Sequence, residues 1–473
     1  MHLILDIEME WADLRGVVLE RIVPKDTEVE ALKAFISRTE GSLTRYLREA
    51  DLGASVEVHG SASRGTWLSG DNDVDVFMVL DAGYDRSVLP RVLEAVKGYL
   101  VSGWTEAYAE HPYLKAEVDG FQVDFVPCFR VDPREGLTSA TDRTPLHSVF
   151  VRERLSTQDR EEVRLLKRFM KGVGVYGAEV KVGGFSGYLC ELLVIHYGSF
   201  EAVLEAAEGW RRGRALDILG GSSAEALHKR FPEPLIVVDP VDSSRNVASA
   251  VSETVFWELS AASRAFLGAP SERFFFPREE EVGRDELLEQ IEAHGSELLF
   301  VVVEDGDAEV PDVLWGQLYK SERALEGVLR KEGFEVLRSG AWSDESSRHA
   351  LVFELESCVL PPTTMRRGPP VRMAEDSERF IEAHVGEEST VSGPWIRGDR
   401  WWVEVRRRER DARVFVEALL SDGGSSIGVS HNLVARVRDG GVVLLNGEVG
   451  DYLAPGFPEF LHRFLKGRPA WLE

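Results

Sequence analysis

Three carboxylates, Asp71, Asp73 and Asp75, alternate directly ahead of the apolar run Val76 to Leu80. A period of two is the signature of a strand, in which every second side chain shares a face. All three acids can therefore point the same way. Two carboxylates about 4 Å apart repel by roughly 4 kcal/mol at an effective dielectric of 20. A fold tolerates that when one is protonated or a cation sits between them. A solvated, acid-rich start to a strand is the plain alternative.

Two neighbouring features weigh against the plain alternative. Upstream runs His59-Gly60-Ser61-Ala62-Ser63-Arg64-Gly65-Thr66-Trp67-Leu68. Its Gly-Ser turn offers backbone N–H groups and a hydroxyl to a phosphate, as anion nests do. Downstream, Phe121 to Pro127 places Asp124 inside an apolar run, and a lone carboxylate among core residues is costly unless paired or metal-bound. Asp124 opposite Asp73 and Asp75 would complete a two-metal site for a hard divalent cation such as Mg²⁺. A phosphate cradle beside a metal site points to nucleotidyl transfer.

A chain of 473 residues exceeds one ordinary core, so roughly three domains are expected. The longest aliphatic runs, such as Leu298 to Val303, are too short to span a bilayer, so no membrane partner is expected. Met1 to Asp6 lacks the basic and apolar segments of a secretory signal. Cys128, Cys190 and Cys358 stand alone, which fits a reducing cytoplasm and no disulfide or zinc framework. The net charge of −26 speaks superficially against a nucleic-acid partner. Basic clusters survive within it: Trp210-Arg211-Arg212-Gly213-Arg214, Arg366-Arg367 and Arg406-Arg407-Arg408. Four Asn and four Gln among many charges fit a heat-adapted protein, an expectation that a melt near about 50 °C would contradict. Oligomeric state is left open, a homodimer included.

Apolar Leu32, Phe35, Ile36, Leu43 and Leu47 recur at helical spacing and predict a helix over Thr27 to Ala50. Ser55 to His59 reads as a strand, and Gly60 to Trp67 as a turn running into a short helix. Val74 to Leu80 is a strand and Ser87 to Val101 a helix. Strands at Tyr113 to Val118 and Gln122 to Cys128 flank Asp119-Gly120, a hairpin signal. This mixed α/β head is assigned residues 1–152. Helices at Glu161 to Lys171, Gly184 to Tyr197 and Ser199 to Trp210 dominate 153–270. There Leu235 to Val238 reads as a strand, followed by the Asp239-Pro240 turn and a helix. From 271 to 361, helices (Asp285 to His294, Leu314 to Glu332) alternate with strands (Glu297 to Val303, Phe334 to Arg338, Ala350 to Leu355), a pattern of an α+β sandwich. Proline-rich breaks set off a module at 362–428, after which 429–473 returns to the body.

The spacing Gly60-Ser61, eleven residues, Asp73-Val74-Asp75, with Asp124 on a later strand, resembles the polymerase-beta-type nucleotidyltransferases. The chain is more closely similar to the archaeal (class I) CCA-adding enzymes. The fragments that carry the likeness are Gly-Ser-x-x-Arg-x-Thr-Trp-Leu (60–68), Val-Asp-x-Val-Pro-Cys (123–128), Asp-Arg-Thr-Pro-x-His (142–147) and Glu-Val-Arg-Leu-Leu-Lys (162–167). Val-Tyr-Gly-Ala-Glu (175–179), Gly-Phe-Ser-Gly-Tyr-Leu-Cys-Glu (184–191) and Asp-Pro-Val-Asp-x-x-Arg-Asn-Val-Ala (239–248) extend it. It is dense from about 56 to 250 and thins beyond about 412. Asp73 stands where members also carry Glu, and both ligate metal.

The resemblance implies a multidomain α+β fold. A polymerase-beta-like nucleotidyltransferase head would lead a helical central domain and a C-terminal α+β sandwich with an inserted tail module. It implies untemplated addition of C, C and A to the tRNA 3′ end from CTP and ATP, with pyrophosphate released. Asp73, Asp75 and Asp124 would bind two Mg²⁺. Gly60, Ser61, Arg64, Thr144, Lys167 and Tyr176 would hold the triphosphate. His147 would lie near the nucleotide, and Arg245 would help read the base, with Asp242 placed to orient it. Asp71 is left out of the metal set. A poly(A) polymerase or oligoadenylate synthetase-like enzyme, or a catalytically silent RNA-binding homologue, is the competing reading.

Several of these residues have local readings too. Lys167 and Lys171 share a helix face with Arg164 beside it, a stripe suited to a triphosphate or to solvent; Lys171 is left as surface. Asp142 or Thr144 can cap the helix holding His147, and helix N-termini also take phosphates. Tyr176 reads equally as a core aromatic. Arg366, Arg367, Trp401 and Arg406 suit RNA backbone and stacking contacts, although the tryptophans can instead be buried within the module.

Overall fold

A computed structural model describes residues 10–81, 83–108, 111–130, 143–278, 281–304, 309–421 and 423–472. It divides into two units, Met1–Glu279 with Pro469–Glu473, and Glu280–Arg468. The first unit opens with α1 (Trp11–Ile22), which the sequence pattern does not announce, and α2 (Asp26–Glu49). Leu32, Phe35, Leu43 and Leu47 form the buried side of α2, as the spacing predicts.

Next come β1 (Ala54–His59), α3 (Gly60–Arg64), β2 (Asp73–Leu80), α4 (Leu89–Leu100), β3 (Trp104–Tyr108), β4 (Pro112–Val118) and β5 (Phe121–Phe129). The strands make one sheet in the order β1-β2-β5-β4-β3. β2 and β5 run parallel; every other pair is antiparallel. Asp119 and Gly120, at φ 53° and 84°, turn β4 into β5 as a two-residue hairpin requires. Val74, Val76, Met78 and Leu80 join the core with residues of α2 and α4. The opposite face carries Asp73, Asp75, Phe77 and Val79, because side chains alternate along β2. Phe77, Val79 and Cys128 form a small core of their own, so the carboxylates end an otherwise apolar face.

The rest of this unit holds α5 (Arg143–Arg154), α6 (Thr157–Gly172), α7 (Gly187–Tyr197), α8 (Phe200–Glu208), β6 (Arg214–Asp217), α9 (Ala224–Arg230), β7 (Leu235–Asp239), β8 (Asp242–Asn246) and α10 (Glu253–Gly268). Ser156, Ser186, Ser199, Ser223 and Ser252 cap five of these helices, each accepting a backbone N–H three residues on. Such caps fix where each helix starts. Val163, Leu166 and Met170 are fully buried on α6, as expected. The helix expected straight after Asp239-Pro240 is preceded by β8. Asn246 diverts the chain into that hairpin: its side chain accepts from Val237 N (2.8 Å) and donates to Leu235 O (2.9 Å). These bonds supply side-chain partners where strand pairing would otherwise end.

The second unit contains α11 (Arg284–Ala293), β9 (Glu297–Glu304), α12 (Pro311–Glu332), β10 (Val336–Ser343), β11 (Arg348–Leu355), β12 (Thr363–Pro370), α13 (Ala374–His384), β13 (Thr390–Arg397), β14 (Arg400–Arg406), α14 (Ala412–Leu420), α15 (His431–Gly440), β15 (Val442–Leu445) and α16 (Phe457–Lys466). Its main sheet runs β10-β11-β9-β15. Leu299, Val301 and Phe353 pack with α12, α14 and α15 on one face. Leu298, Phe300 and Val352 pack with α11 and α16 on the other. β12-β14-β13 form a separate small sheet. Among the described residues no helix is long and apolar enough to cross a membrane.

Candidate active site

Gly60 follows β1 and starts α3 at φ +67°, a conformation that residues with a Cβ rarely adopt. A Cβ there would lie 1.8 Å from Asp75 Oδ2. The carboxylate therefore rests against bare backbone, and the Gly-Ser turn and the acid of β2 form one site. Asp75 also pairs in register with Asp124 across the parallel strands. Burial, then the negative charges of Asp124 and Asp73, push the Asp75 carboxyl above the usual range, against the pull of Arg64. Asp124 is raised by burial as well, although Lys115 opposes it. Lys115 stands opposite Asp124 on β4 and donates to Oδ2 at 3.2 Å. Two neighbouring acids raised by burial and by adjacent carboxylates, with an ammonium leaning on one, make a site that favours a cation. Among the described residues no group of three His, Cys, Asp or Glu side chains is already drawn together as a metal-holding cluster.

A buried ionic cluster supports the turn. Arg64 Nε donates to the Glu191 carboxylate at 2.9 Å, and Nη1 reaches Ser148 Oγ at 3.3 Å. Thr66 Oγ1 also donates to Glu191. Lys167 Nζ donates to Thr66 O (3.1 Å) and Oγ1 (3.2 Å), with Glu191 at 3.8 Å. Arg64, Lys167 and Glu191 are all buried. Burial holds the Lys167 ammonium below its ordinary range while the Glu191 charge pulls it back up. Gly187 leaves room for this cluster: a Cβ there would sit 2.9 Å from Tyr176 Oη and 3.4 Å from Lys167 Nζ.

The cationic stripe of α6 grips the 65–71 segment. Arg164 donates to Gly65 O (2.7 Å) and Trp67 O (2.9 Å). Lys171, expected at the surface, is half-buried and pairs with Asp71 at 2.9 Å. Asp71 thereby has a structural partner away from Asp73 and Asp75, and Asp71 also accepts from Leu68 N at 3.3 Å.

Thr144 lies in the first turn of α5; Asp142, the alternative cap, falls outside the described residues. His147 sits one turn further on, its ring stacked on Tyr188 at 4.0 Å. Its Nε2 meets Asp239 Oδ2 at 2.9 Å. Arg245 Nη1 reaches the same oxygen at 2.9 Å. Asp242, expected to orient Arg245, instead takes Arg143 at 2.8 Å. The cause is the hairpin: Asp239 closes the fully buried β7, while Asp242 opens β8 facing α5.

Known proteins match along nearly the whole chain. Family models for a nucleotidyltransferase domain, the second domain of tRNA nucleotidyltransferase and the C-terminal domain of CCA-adding enzyme match residues 42–147, 161–276 and 294–439. A CCA-adding enzyme of Pyrobaculum aerophilum is 39% identical over 86% of this chain and 93% of its own length. Those of Methanothermobacter thermautotrophicus and Methanosarcina acetivorans are 37% and 38% identical over 95% and 96% of this chain, and 97% and 98% of theirs. This chain belongs to the CCA-adding enzymes.

In this CCA-adding enzyme the first unit gathers Gly60, Ser61, Arg64, Asp73, Asp75 and Asp124 around the β1–α3 turn. Lys167 binds Thr66, Tyr176 lies beside Gly187 and Lys171, Thr144 stays in the first turn of α5, and His147 and Arg245 converge on Asp239. Arg366, Arg367, Trp401 and Arg406 belong to the second unit. There Arg366, Arg367 and Arg406 are exposed. Trp401 faces α13, since a Cβ on Gly368 would touch both Trp401 and the Phe380 ring. Trp402 takes the opposite face, opposite Trp395 and beneath the Arg397 guanidinium at 5.8 Å. Glu191, Asp239, Tyr188 and Arg164 are missing from the residues predicted for the site. The first two carried a usable signal, a carboxylate inside or ending an apolar run, the same signal that identifies Asp124.

Proposed function

We infer that this chain adds C, C and A in turn to the 3′ end of tRNA from CTP and ATP, without a nucleic-acid template. The observation that carries the reading is Asp75, in register with Asp124 and seated on the Gly60 turn, in a chain that matches CCA-adding enzymes almost end to end. The tRNA 3′-hydroxyl attacks the α-phosphate of the bound triphosphate in line, and pyrophosphate leaves. No covalent enzyme intermediate is needed.

Nucleotidyltransferases of this superfamily generally use divalent metal. The donor chemistry here fits one: oxygen ligands only, acids raised by burial and by adjacent carboxylates, and a glycine that leaves the carboxylate uncovered. We assign two Mg²⁺ to Asp73, Asp75 and Asp124, with substrate phosphates completing what the protein leaves open. When bound, such ions activate the attacking hydroxyl and stabilise charge on the phosphoryl group. The remaining roles belong to the protein. Gly60 and Ser61 present donors to the triphosphate, and Arg64 adds positive charge from below. Thr144 offers the first turn of α5 to phosphate. Lys167, held on Thr66 and beside Glu191, and Tyr176, beside Gly187, back the triphosphate site. His147 and Arg245 face the nucleoside. Arg366, Arg367 and Arg406 supply contacts to tRNA phosphates, with Trp401 stiffening the module that carries them.

The test is an end-product assay on tRNA lacking its terminal CCA, with all four triphosphates present. Extension that stops after C-C-A is expected. An untemplated A-tail would assign the chain to poly(A) synthesis instead. Asp75→Ala should abolish incorporation; full activity in that variant would refute the metal mechanism.

A further inference from the structure

We propose that Asp239 is the positioning residue for base selection, fixing Arg245 and His147 as a single unit against the incoming base. This rests on the reading above, in which Arg245 and His147 face the nucleoside.

Asp239 is the last residue of β7, and its side chain is wholly buried. Four donors from three segments converge on it. His147 Nε2 and Arg245 Nη1 each lie 2.9 Å from Oδ2. Val241 N and Tyr188 Oη lie 3.1 and 3.4 Å from Oδ1. A buried carboxylate is costly unless its lone pairs are taken, and here they are. Despite burial, the hydrogen bonds from His147, Val241 N and Arg245 hold this carboxyl below its usual range.

Consider first what this does to Arg245. A guanidinium has five N–H donors in a rigid plane. Anchoring Nη1 fixes the direction of the others, and about a third of the side chain stays exposed. C and A share a ring nitrogen that accepts beside an amino group on the pairing edge. U and G present a ring N–H there instead. A donor discriminates between these only if it cannot swing away, since a mobile guanidinium relaxes from the clash. Now consider His147. Its Nε2 faces the Asp239 carboxylate and so carries the N–H that donates there, which makes Nδ1 the acceptor of a neutral ring; burial lowers the ring's basicity. The Tyr188 ring stacked at 4.0 Å fixes its plane. Asp239 thus sets the angle of one group and the tautomer of the other.

The experiment measures single-nucleotide addition to tRNA ending in C-C and to tRNA lacking all three residues, by the full chain, with each triphosphate separately. Asp239→Asn keeps the volume but loses the charge and one acceptor. The ratio of kcat/KM for ATP over GTP, and for CTP over UTP, should fall at least about tenfold, through KM and misincorporation as well as kcat. Asp242→Asn, which alters the contacts to Arg143 and Ser244 but none to Asp239, should leave both ratios unchanged. Arg245→Lys, at a partly exposed position that folding tolerates, should lose the ratios to a similar degree and not add to Asp239→Asn. Unchanged ratios in Asp239→Asn or in Arg245→Lys, or an equal loss in Asp242→Asn, would overturn the assignment. If the wild-type chain does not extend tRNA at all, the functional reading itself falls; if it does and the ratios hold, only this inference falls.

Discussion

Replacing Glu191 with Gln removes one negative charge from a site that water does not reach. The side chain is fully buried, and it faces two buried cations, Arg64 and Lys167. Gln has nearly the same volume, so no cavity opens and the change is electrostatic. Breaking a buried ion pair by removing one partner costs about 3–5 kcal/mol, because the remaining charge is left uncompensated. Thr66 also loses an ionic acceptor, which keeps the expectation from falling below that range. For a unit of this size each kcal/mol moves the melting temperature by about 2 °C, so a fall of about 6–10 °C is expected. Scanning calorimetry, with urea unfolding at 25 °C, measures both quantities. The decisive comparison adds Lys167→Met. Removing the acid and one of its cations together should cost less than the two single losses summed, by about 0.5–3 kcal/mol. A fall under about 2 °C in Glu191→Gln, or strict additivity with Lys167→Met, would refute the claim that these charges depend on one another.

Three further outcomes follow from the site. His59 titrates at about 4 in the folded chain, lowered mainly by burial and by Arg152 and Arg64 despite Glu57. Because the folded value lies below the unfolded one, its contribution is complete above about pH 6.5 and is lost as pH falls toward 4, at up to about 1.4 kcal/mol per unit; His59→Gln should flatten that slope in urea titrations at pH 4.5 and 6.5. Lys115→Met frees Asp124 from its ammonium, so Mn²⁺ binding followed by calorimetry should tighten by up to about fivefold, the worth of a half-exposed pair; unchanged or weaker binding argues against Lys115 as a competitor for the site. Gly60→Ala forces a Cβ into the Asp75 carboxylate at a positive φ, so nucleotide addition should be lost while calorimetry shows the second unit melting as before; retained addition would show that the turn and Asp75 move independently.

Much of this architecture is local and could be read directly. The period-two acids sort onto the face away from α2 and α4 because alternation leaves no other arrangement once Val74, Val76 and Met78 are buried. Asp119-Gly120 makes its hairpin because both positions need positive φ. α6 buries Val163, Leu166 and Met170 because helical spacing lines them up. The gaps have physical causes as well. A helical stripe of Arg164, Lys167 and Lys171 shows that cations share a face, but not what they meet. In the fold they meet carbonyls and an acid about a hundred residues earlier. Trp401 and Trp402 differ by one residue, and one residue in a strand exchanges the two faces of a sheet. Only the position of α13 decides which of them is covered.

Spacing along the chain marked the candidate site, with acids at 73 and 75, a Gly-Ser turn before them and a lone acid in a later apolar strand, and the resemblance to CCA-adding enzymes gave it a reaction. Partner choice was not contained there. Asp239 and Asp242 are three residues apart in one turn, and either could hold Arg245 on paper. The β7–β8 hairpin buries the first and turns the second toward Arg143. A buried carboxylate takes whichever donors packing brings to it, and packing is a property of the whole unit, so those pairings were decided only when the chain closed on itself.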